Sequence, residues 1–241
     1  MPPGIRFQGR VSFQGVEVFR DLDLEIAAGQ WTCLLGPSGV GKTTILRLIA
    51  GLVEGSQFEG EIAATDGKPL DDRIAYMAQT DLLFPWLDVL GNVLLGARLR
   101  GEAADHGRAI ETIRRVGLAA HVSKRPGELS GGMRQRAALA RTLMEDRPVI
   151  LLDEPFSALD ARTRAEMQEL AAELLEGRTV LLVTHDPGEV ARLGHAIRVM
   201  RDESLFEVSP PASLPIRAYD DPDVFACQSD LMAMLREADA A

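Results

Sequence analysis

No stretch of this sequence approaches the roughly 20 apolar residues needed to cross a bilayer, and its start, Met1-Pro-Pro-Gly-Ile-Arg6, lacks the apolar core of a secretory leader. Any membrane role is therefore expected to be peripheral. Excess positive charge is missing as well: a formal net charge of -10 opposes wholesale attraction to nucleic acid or anionic lipid and makes a protein partner the better expectation. Cysteine is scarce. Cys33 and Cys227 lie far apart and neither belongs to a CxxC or Cys/His cluster, so nothing asks for an oxidising compartment or a structural metal. Cys33, inside an apolar run, reads as a small core residue. Internal repeats and low-complexity linkers are absent too. With 46% hydrophobic and 26% charged residues among 241, the composition is that of a folded chain with a sizeable core.

What is there begins with alternation. Val11-Ser-Phe-Gln14 and Leu22-Asp-Leu-Glu-Ile26 suit half-buried antiparallel strands. Trp31 to Leu35 is a continuous apolar run, followed by a glycine-rich loop and a helical pattern from Thr44 to a glycine stop at Gly51. Val149 to Asp153 and Thr179 to Thr184 have the unbroken apolar character of strands buried on both faces, as parallel sheets require. Between about Thr80 and Met144 the pattern is helical: after Pro85, around His106 to Val116, and from Gly132 to Leu143. A further helix is expected from Arg162 to Glu176, ended by Gly177, and a short one from Asp230 to Glu237.

Gly36, Pro37, Ser38, Gly39, Val40, Gly41, Lys42 and Thr43 fit the phosphate-loop spacing G-x-x-x-x-G-K-[ST]. At average glycine usage a chance match in such a chain has a probability of about 1%. Backbone N–H groups freed by the glycines can cradle phosphate oxygens, and the helix that follows adds the positive end of its dipole. Lys42 would reach the β- and γ-phosphates, Thr43 would offer its hydroxyl to Mg²⁺, and Thr44 continues the binding turn. Asp153 and Glu154 end an apolar strand, where open α/β sheets bind ligands. Asp153 suits a metal's water shell, and Glu154 suits orienting or deprotonating an attacking water. Alone, Asp-Glu-Pro after a strand could be a solvated strand end.

Leu129-Ser-Gly-Gly-Met-Arg-Gln-Arg136 resembles the signature sequence of ABC ATPases. Ser130, Gly131 and Gly132 would form another anion site where a helix begins, and Ser130 would cap that helix. From about Ile5 to Val208 the remaining markers of the family follow in order. The resemblance implies that Gln79 touches Mg²⁺ and relays nucleotide state, that Asp160 crosses a dimer interface, and that His185 contacts the γ-phosphate. Gln135 is counted with the nucleotide-binding residues of the signature. Phe13 matches the aromatic that stacks on adenine, with Phe19 as the fallback.

The fold implied is an α/β phosphate-loop (RecA-like) core with an N-terminal antiparallel β-subdomain and an inserted α-helical subdomain. One ABC ATPase domain spans 1–241: core and β-subdomain over 1–79 and 145–210, helical subdomain over 80–144, and a short tail over 211–241. The resemblance implies ATP and Mg²⁺ as cofactors and a head-to-tail pair of ATPase subunits, in which the phosphate loop of one faces the signature of the other. It also implies a separate integral membrane permease, a binding protein reached indirectly, no nucleic acid, and a peripheral place on the cytoplasmic face of the inner membrane.

Three kinds of ABC protein compete: importer subunit, exporter subunit and soluble ABC ATPase. About fifty residues separate Gln79 from Leu129, too few for the coiled coils of repair proteins, and one phosphate loop excludes a two-cassette translation factor. The run from Asp81 to Val93, Asp-Leu-Leu-Phe-Pro-Trp-Leu-Asp-Val-Leu-Gly-Asn-Val, resembles importers of the nitrate, sulfonate and taurine group and relatives that import thiamine precursors. Its Leu, Phe and Trp either form a docking groove for a permease helix or pack as the lobe's own core. About thirty residues follow Pro210, too few for the regulatory β-domain of sugar importers.

Overall fold

In a computed structural model of the chain, residues 1–13, 16–53, 55–201 and 204–238 are described. The elements run β1 (Ile5–Phe13), β2 (Val16–Ile26), β3 (Trp31–Leu35), α1 (Lys42–Ile49), β4 (Ser56–Ala64), β5 (Ile74–Met77), α2 (Val89–Val93), α3 (Leu95–Leu99), α4 (His106–Arg115), α5 (Gly131–Met144), β6 (Val149–Asp153), α6 (Ala161–Leu174), β7 (Thr179–Thr184), α7 (Pro187–Leu193), β8 (Ala196–Arg201), β9 (Ser204–Val208) and α8 (Pro222–Ala238). They divide into two compact units. The first comprises Met1–Ile74, Pro148–Asp153 and Gly177–Ala241, the second Ala75–Arg147 and Glu154–Glu176.

Strand alternation builds the first unit's antiparallel sheet, ordered β2-β1-β4. Along β2, Leu22, Leu24 and Ile26 are buried while Asp21, Asp23 and Glu25 face water, and Ile5 and Phe7 of β1 join the buried face. Continuous apolar strands build the other sheet, in which β6, β7, β3 and β8 are parallel neighbours and β9 is an antiparallel edge. Every residue of β3, β6 and β7 is buried, so these strands need cover on both faces. α1 lays Ile45, Leu46 and Ile49 toward β6 and β7. α8 packs along α7 and β8 and buries Val224, Cys227 and Leu231, which recur at helical spacing.

The chain between β9 and α8 is tied down by a buried cation. Arg217 donates from Nη1 to the carbonyls of Ala191 and Gly194 at 2.8 and 2.9 Å, from Nε to Ser213 at 2.7 Å and from Nη2 to Pro211 at 3.1 Å. Two of these acceptors lie at the C-terminal end of α7, where helix carbonyls lack intrahelical partners.

In the second unit α5 is the hub, touching α2, α3, α4 and α6. Its central run Ala137, Ala138, Leu139 and Ala140 is almost wholly buried, and the small side chains let neighbours approach closely. Helix starts here carry side-chain caps: Asp88 on α2, Asp105 on α4, Ser130 on α5 and Asp160 on α6.

Two boundaries differ from expectation. α1 begins at Lys42, not Thr44, because Gly41 takes the left-handed N-cap conformation (φ 107°) and brings Lys42 and Thr43 onto the helix. The expected short helix from Asp230 is instead the 17-residue α8 starting at Pro222, since proline at a first helical position costs no hydrogen bond. β4, α3, α7, β8 and β9 were not foreseen.

Candidate functional site

Parallel register brings three loops to one sheet edge in the first unit. Leu35 of β3 pairs with Thr184 of β7, and Asp153 of β6 pairs with Val183 of β7. Gly36, Asp153 and His185 therefore all stand at the C-terminal end of that sheet, where ligands bind in open α/β folds. His185 is solvent-exposed, whereas Asp153 is 1% exposed and accepts a hydrogen bond from Thr43 Oγ1 at 3.1 Å.

The phosphate loop has steric reasons for its glycines. A Cβ on Gly36 would sit 2.6 Å from the Met200 carbonyl oxygen, and one on Gly41 would meet Val18 Cγ1 at 2.9 Å in a left-handed backbone. Lys42, buried, folds its ammonium back across the loop and donates to the Gly36 and Pro37 carbonyls at 2.7 Å each. Ser38 and Gly39 at the loop's crest are exposed. Unlike the capped helices α2, α4, α5, α6 and α7, α1 has no side-chain cap on its first N–H groups. A helix end with uncapped donors, a lysine at its first position and a hydroxyl–carboxylate pair beside it has the donor set that a polyphosphate with Mg²⁺ requires, so the residues fit that group.

Of the two adenine candidates, Phe13 ends β1 and its side chain lies outside the described residues. Phe19 is a core residue. It is fully buried, edge-on to Phe7 with ring centroids 5.9 Å apart, and offers no open stacking face. Cys33 is likewise fully buried, and burial pushes its thiol far above the ordinary range, as befits an inert core side chain.

The second unit carries the other singled-out residues. Gln79 is exposed two positions after β5. Ser130 caps α5, its Oγ accepting from the Met133 N–H at 3.3 Å, and with Gly131 it is exposed at the helix start. Asp160 caps α6 through the Thr163 N–H at 3.0 Å, and that hydrogen bond holds its carboxyl below the ordinary aspartate range. Glu154 is 8% exposed and left-handed, with φ 48°. For a residue with a Cβ that conformation costs about 1–2 kcal/mol, a strain that persists only where neighbours enforce it.

Gln135, expected on the nucleotide, is engaged inside the unit. Its Nε2 donates to the Glu154 carbonyl at 2.9 Å and its Oε1 accepts from the Ala158 N–H at 2.8 Å. A second set of contacts was also not foreseen. Arg134 Nε meets Asp81 Oδ2 at 2.9 Å, and Arg141 donates to the carbonyls of Asp81 and Leu82 at 2.8 and 2.7 Å. Buried Asn92 accepts from the Phe84 N–H at 2.7 Å and donates to the carbonyls of Phe84, Leu87 and Asp88. So fixed, the segment after Gln79 holds Leu82 and Trp86 out at 59% and 65% exposure, with the Phe84 and Trp86 rings 4.9 Å apart. Two arginines seven apart lie on one helix face, which was the available signal.

Residues 19–157, more than half of the chain, match the family described as ABC transporter. The chain belongs to the ABC transporter family. This ABC protein is 47% identical over 201 residues to an uncharacterised ABC transporter ATP-binding protein of Haemophilus influenzae, covering 83% of this chain and 82% of that one. It is 42% identical over 232 residues to an aliphatic sulfonates import ATP-binding protein of Rhodococcus jostii, covering 95% and 91%. Among solved structures it is similar to a bacterial ABC exporter with ATP bound, at a TM-score of 0.80 and 25% identity, over 100% of this chain and 42% of that chain. The α/β ABC ATPase fold expected from the sequence is thus present, and the ABC chain is an ATP-binding ATPase. Among the described residues no helix is long and apolar enough to cross a membrane.

Proposed function

We propose that this chain is the ATP-hydrolysing subunit of an importer, working as a head-to-tail pair at the cytoplasmic face of the membrane beneath a separate permease. The solute class is that of aliphatic sulfonates, since relatives in Rhodococcus, Streptomyces and Delftia carry that name at 42%, 45% and 44% identity. The observation that carries the reading is the sheet edge where the phosphate loop, Asp153 and His185 converge, on a chain whose α5 also starts with an exposed Ser130–Gly131 anion turn.

In this reading Gly36 to Thr44 and Lys42 hold the phosphates, Thr43, Asp153 and Gln79 hold the metal, and Phe13 stacks on adenine. MgATP supplies the transferable phosphoryl group and the divalent charge that offsets its negative oxygens. Glu154 orients and deprotonates the water, His185 donates toward the γ-phosphate side, and Ser130, Gly131 and Gly132 serve the partner's nucleotide across the dimer, with Asp160 at the same interface. Most of the acceleration comes from positioning and charge neutralisation. Leu82, Phe84 and Trp86 form the surface that meets a cytoplasmic helix of the permease. A binding protein acts only through that permease, and nucleic acid has no part.

Co-expression with a candidate sulfonate-importer permease, followed by reconstitution in liposomes, tests this. Hydrolysis is expected to rise with the permease and to vanish in Lys42→Ala. A chain that hydrolyses MgATP equally well alone and never co-purifies with a membrane protein would indicate a soluble ABC ATPase instead.

A further inference from the structure

The side chain of Gln135 is 6% exposed, and both ends of its amide are spent on one short stretch of backbone. Its N–H group donates to the carbonyl of Glu154, the residue held left-handed at φ 48°, and its oxygen accepts from the Ala158 N–H. The Ser157 hydroxyl adds a second donor to the Glu154 carbonyl at 3.0 Å. A primary amide can match a carbonyl and an N–H at once, donating from its nitrogen while accepting at its oxygen. Methionine at this position would leave the Ala158 N–H unpaired and the Glu154 carbonyl to Ser157 alone, and glutamate would satisfy only the N–H. Gln135 also lies on α5, whose start is the Ser130–Gly132 turn, and the Ala158 carbonyl approaches to 3.3 Å of where a Gly132 Cβ would be. One helix therefore carries the anion turn at its tip and grips the Glu154 peptide a turn further in.

From this we infer that Gln135 is a positioning residue for Glu154: it enforces the left-handed peptide that aims the hydrolytic carboxylate, and it ties that aim to the signature turn of the same chain. The inference rests on the reading of Glu154 as the residue that orients water. In that reading Ser130 to Gly132 serve the partner's nucleotide while Glu154 serves the chain's own, so Gln135 links the two sites of a pair through one subunit.

The test uses the full chain with MgATP. Gln135→Met keeps the volume and removes both hydrogen bonds. It is expected to lower kcat by about 10- to 100-fold, the scale of a slightly misplaced catalytic group, with the KM for MgATP within about twofold. In a Glu154→Gln background the same change is expected to leave residual single-turnover hydrolysis unmoved, because the group it positions is already gone. Gln135→Glu supplies a second readout that also serves if the methionine variant does not fold. Relative to the unmodified chain, its activity should recover as pH falls from about 8 to about 6, since burial at this site raises the pKa of the introduced carboxyl and its protonated form can again donate to the Glu154 carbonyl. A raised KM with unchanged kcat would make Gln135 a nucleotide contact and overturn the inference. Equal losses in both backgrounds, wild-type activity of Gln135→Met, or a flat relative pH profile of Gln135→Glu would overturn it as well. If the unmodified chain hydrolyses no MgATP, the parent reading fails and this inference falls with it; if it does and the variants match it, only the inference fails.

Discussion

Replacing Arg141 with alanine isolates how the signature helix holds the segment proposed to meet the permease. Arg141 donates to the carbonyls of Asp81 and Leu82, and burial draws its guanidinium below the ordinary arginine range, so both bonds are made by a partly desolvated charge. Hydrogen bonds to charged groups contribute about 1.5–3 kcal/mol each, and the freed carbonyls can recover part of that from water, which leaves a net loss of about 2 kcal/mol. At 1.4 kcal/mol per tenfold, local opening of the segment becomes about 30-fold more populated. The reporter is the Phe84 amide, bonded to Asn92 Oδ1 at 2.7 Å and exposed to exchange only when the segment opens. Hydrogen exchange at Phe84 should accelerate by about that factor in Arg141→Ala, while the Leu139 amide within α5 stays protected. Permease-stimulated hydrolysis should fall with it. Unchanged exchange at Phe84 would refute the claim that Arg141 clamps the segment.

Arg217→Ala strips the buried carbonyls of Ala191 and Gly194 of their donor, at about 1–3 kcal/mol per unsatisfied group, so the first unit should lose about 3 kcal/mol in urea unfolding followed by the fluorescence of buried Trp31. A loss under about 0.5 kcal/mol would mean that the tail is not held by this residue. A pH effect follows from His195, whose Nδ1 accepts the Trp31 N–H at 3.2 Å and whose pKa is lowered, chiefly by burial and then by Arg217. Below its ordinary value near 6.5 the unfolded chain takes up the proton first, so this contribution to stability is present at neutral pH and is lost as pH falls from about 6.5 toward the depressed folded value. His195→Asn keeps an acceptor without titrating, and its melting temperature should depend less on pH between about 7.5 and 5.

The parts of the fold and site that were legible are those written locally. The phosphate loop is a contiguous spacing whose glycines answer to contacts such as Gly36 against the Met200 carbonyl, and β3, β6 and β7 are unbroken apolar runs. Punctuation misled where it serves two purposes. Asp220-Asp-Pro-Asp223 has the composition of a turn but opens α8, and Asp186-Pro-Gly188 likewise starts α7 with Asp186 as its cap. Gln135 looks like one more polar residue of a signature helix. Its role depends on the turn from Glu154 to Ala158, about twenty places away, and on a left-handed φ that no side-chain type announces. Arg141 is similar, since its partners are backbone carbonyls that any residue would present.

The measurement that bears most directly on the central claim is sedimentation of Glu154→Gln with and without MgATP. If this chain hydrolyses ATP as a closed head-to-tail pair with Glu154 handling the water, the variant should bind nucleotide, accumulate as a species of twice the mass of one chain in MgATP, return to single chains without it, and turn over almost nothing. A Glu154→Gln protein that stays a single chain in saturating MgATP, or hydrolyses at the wild-type rate, would contradict the account.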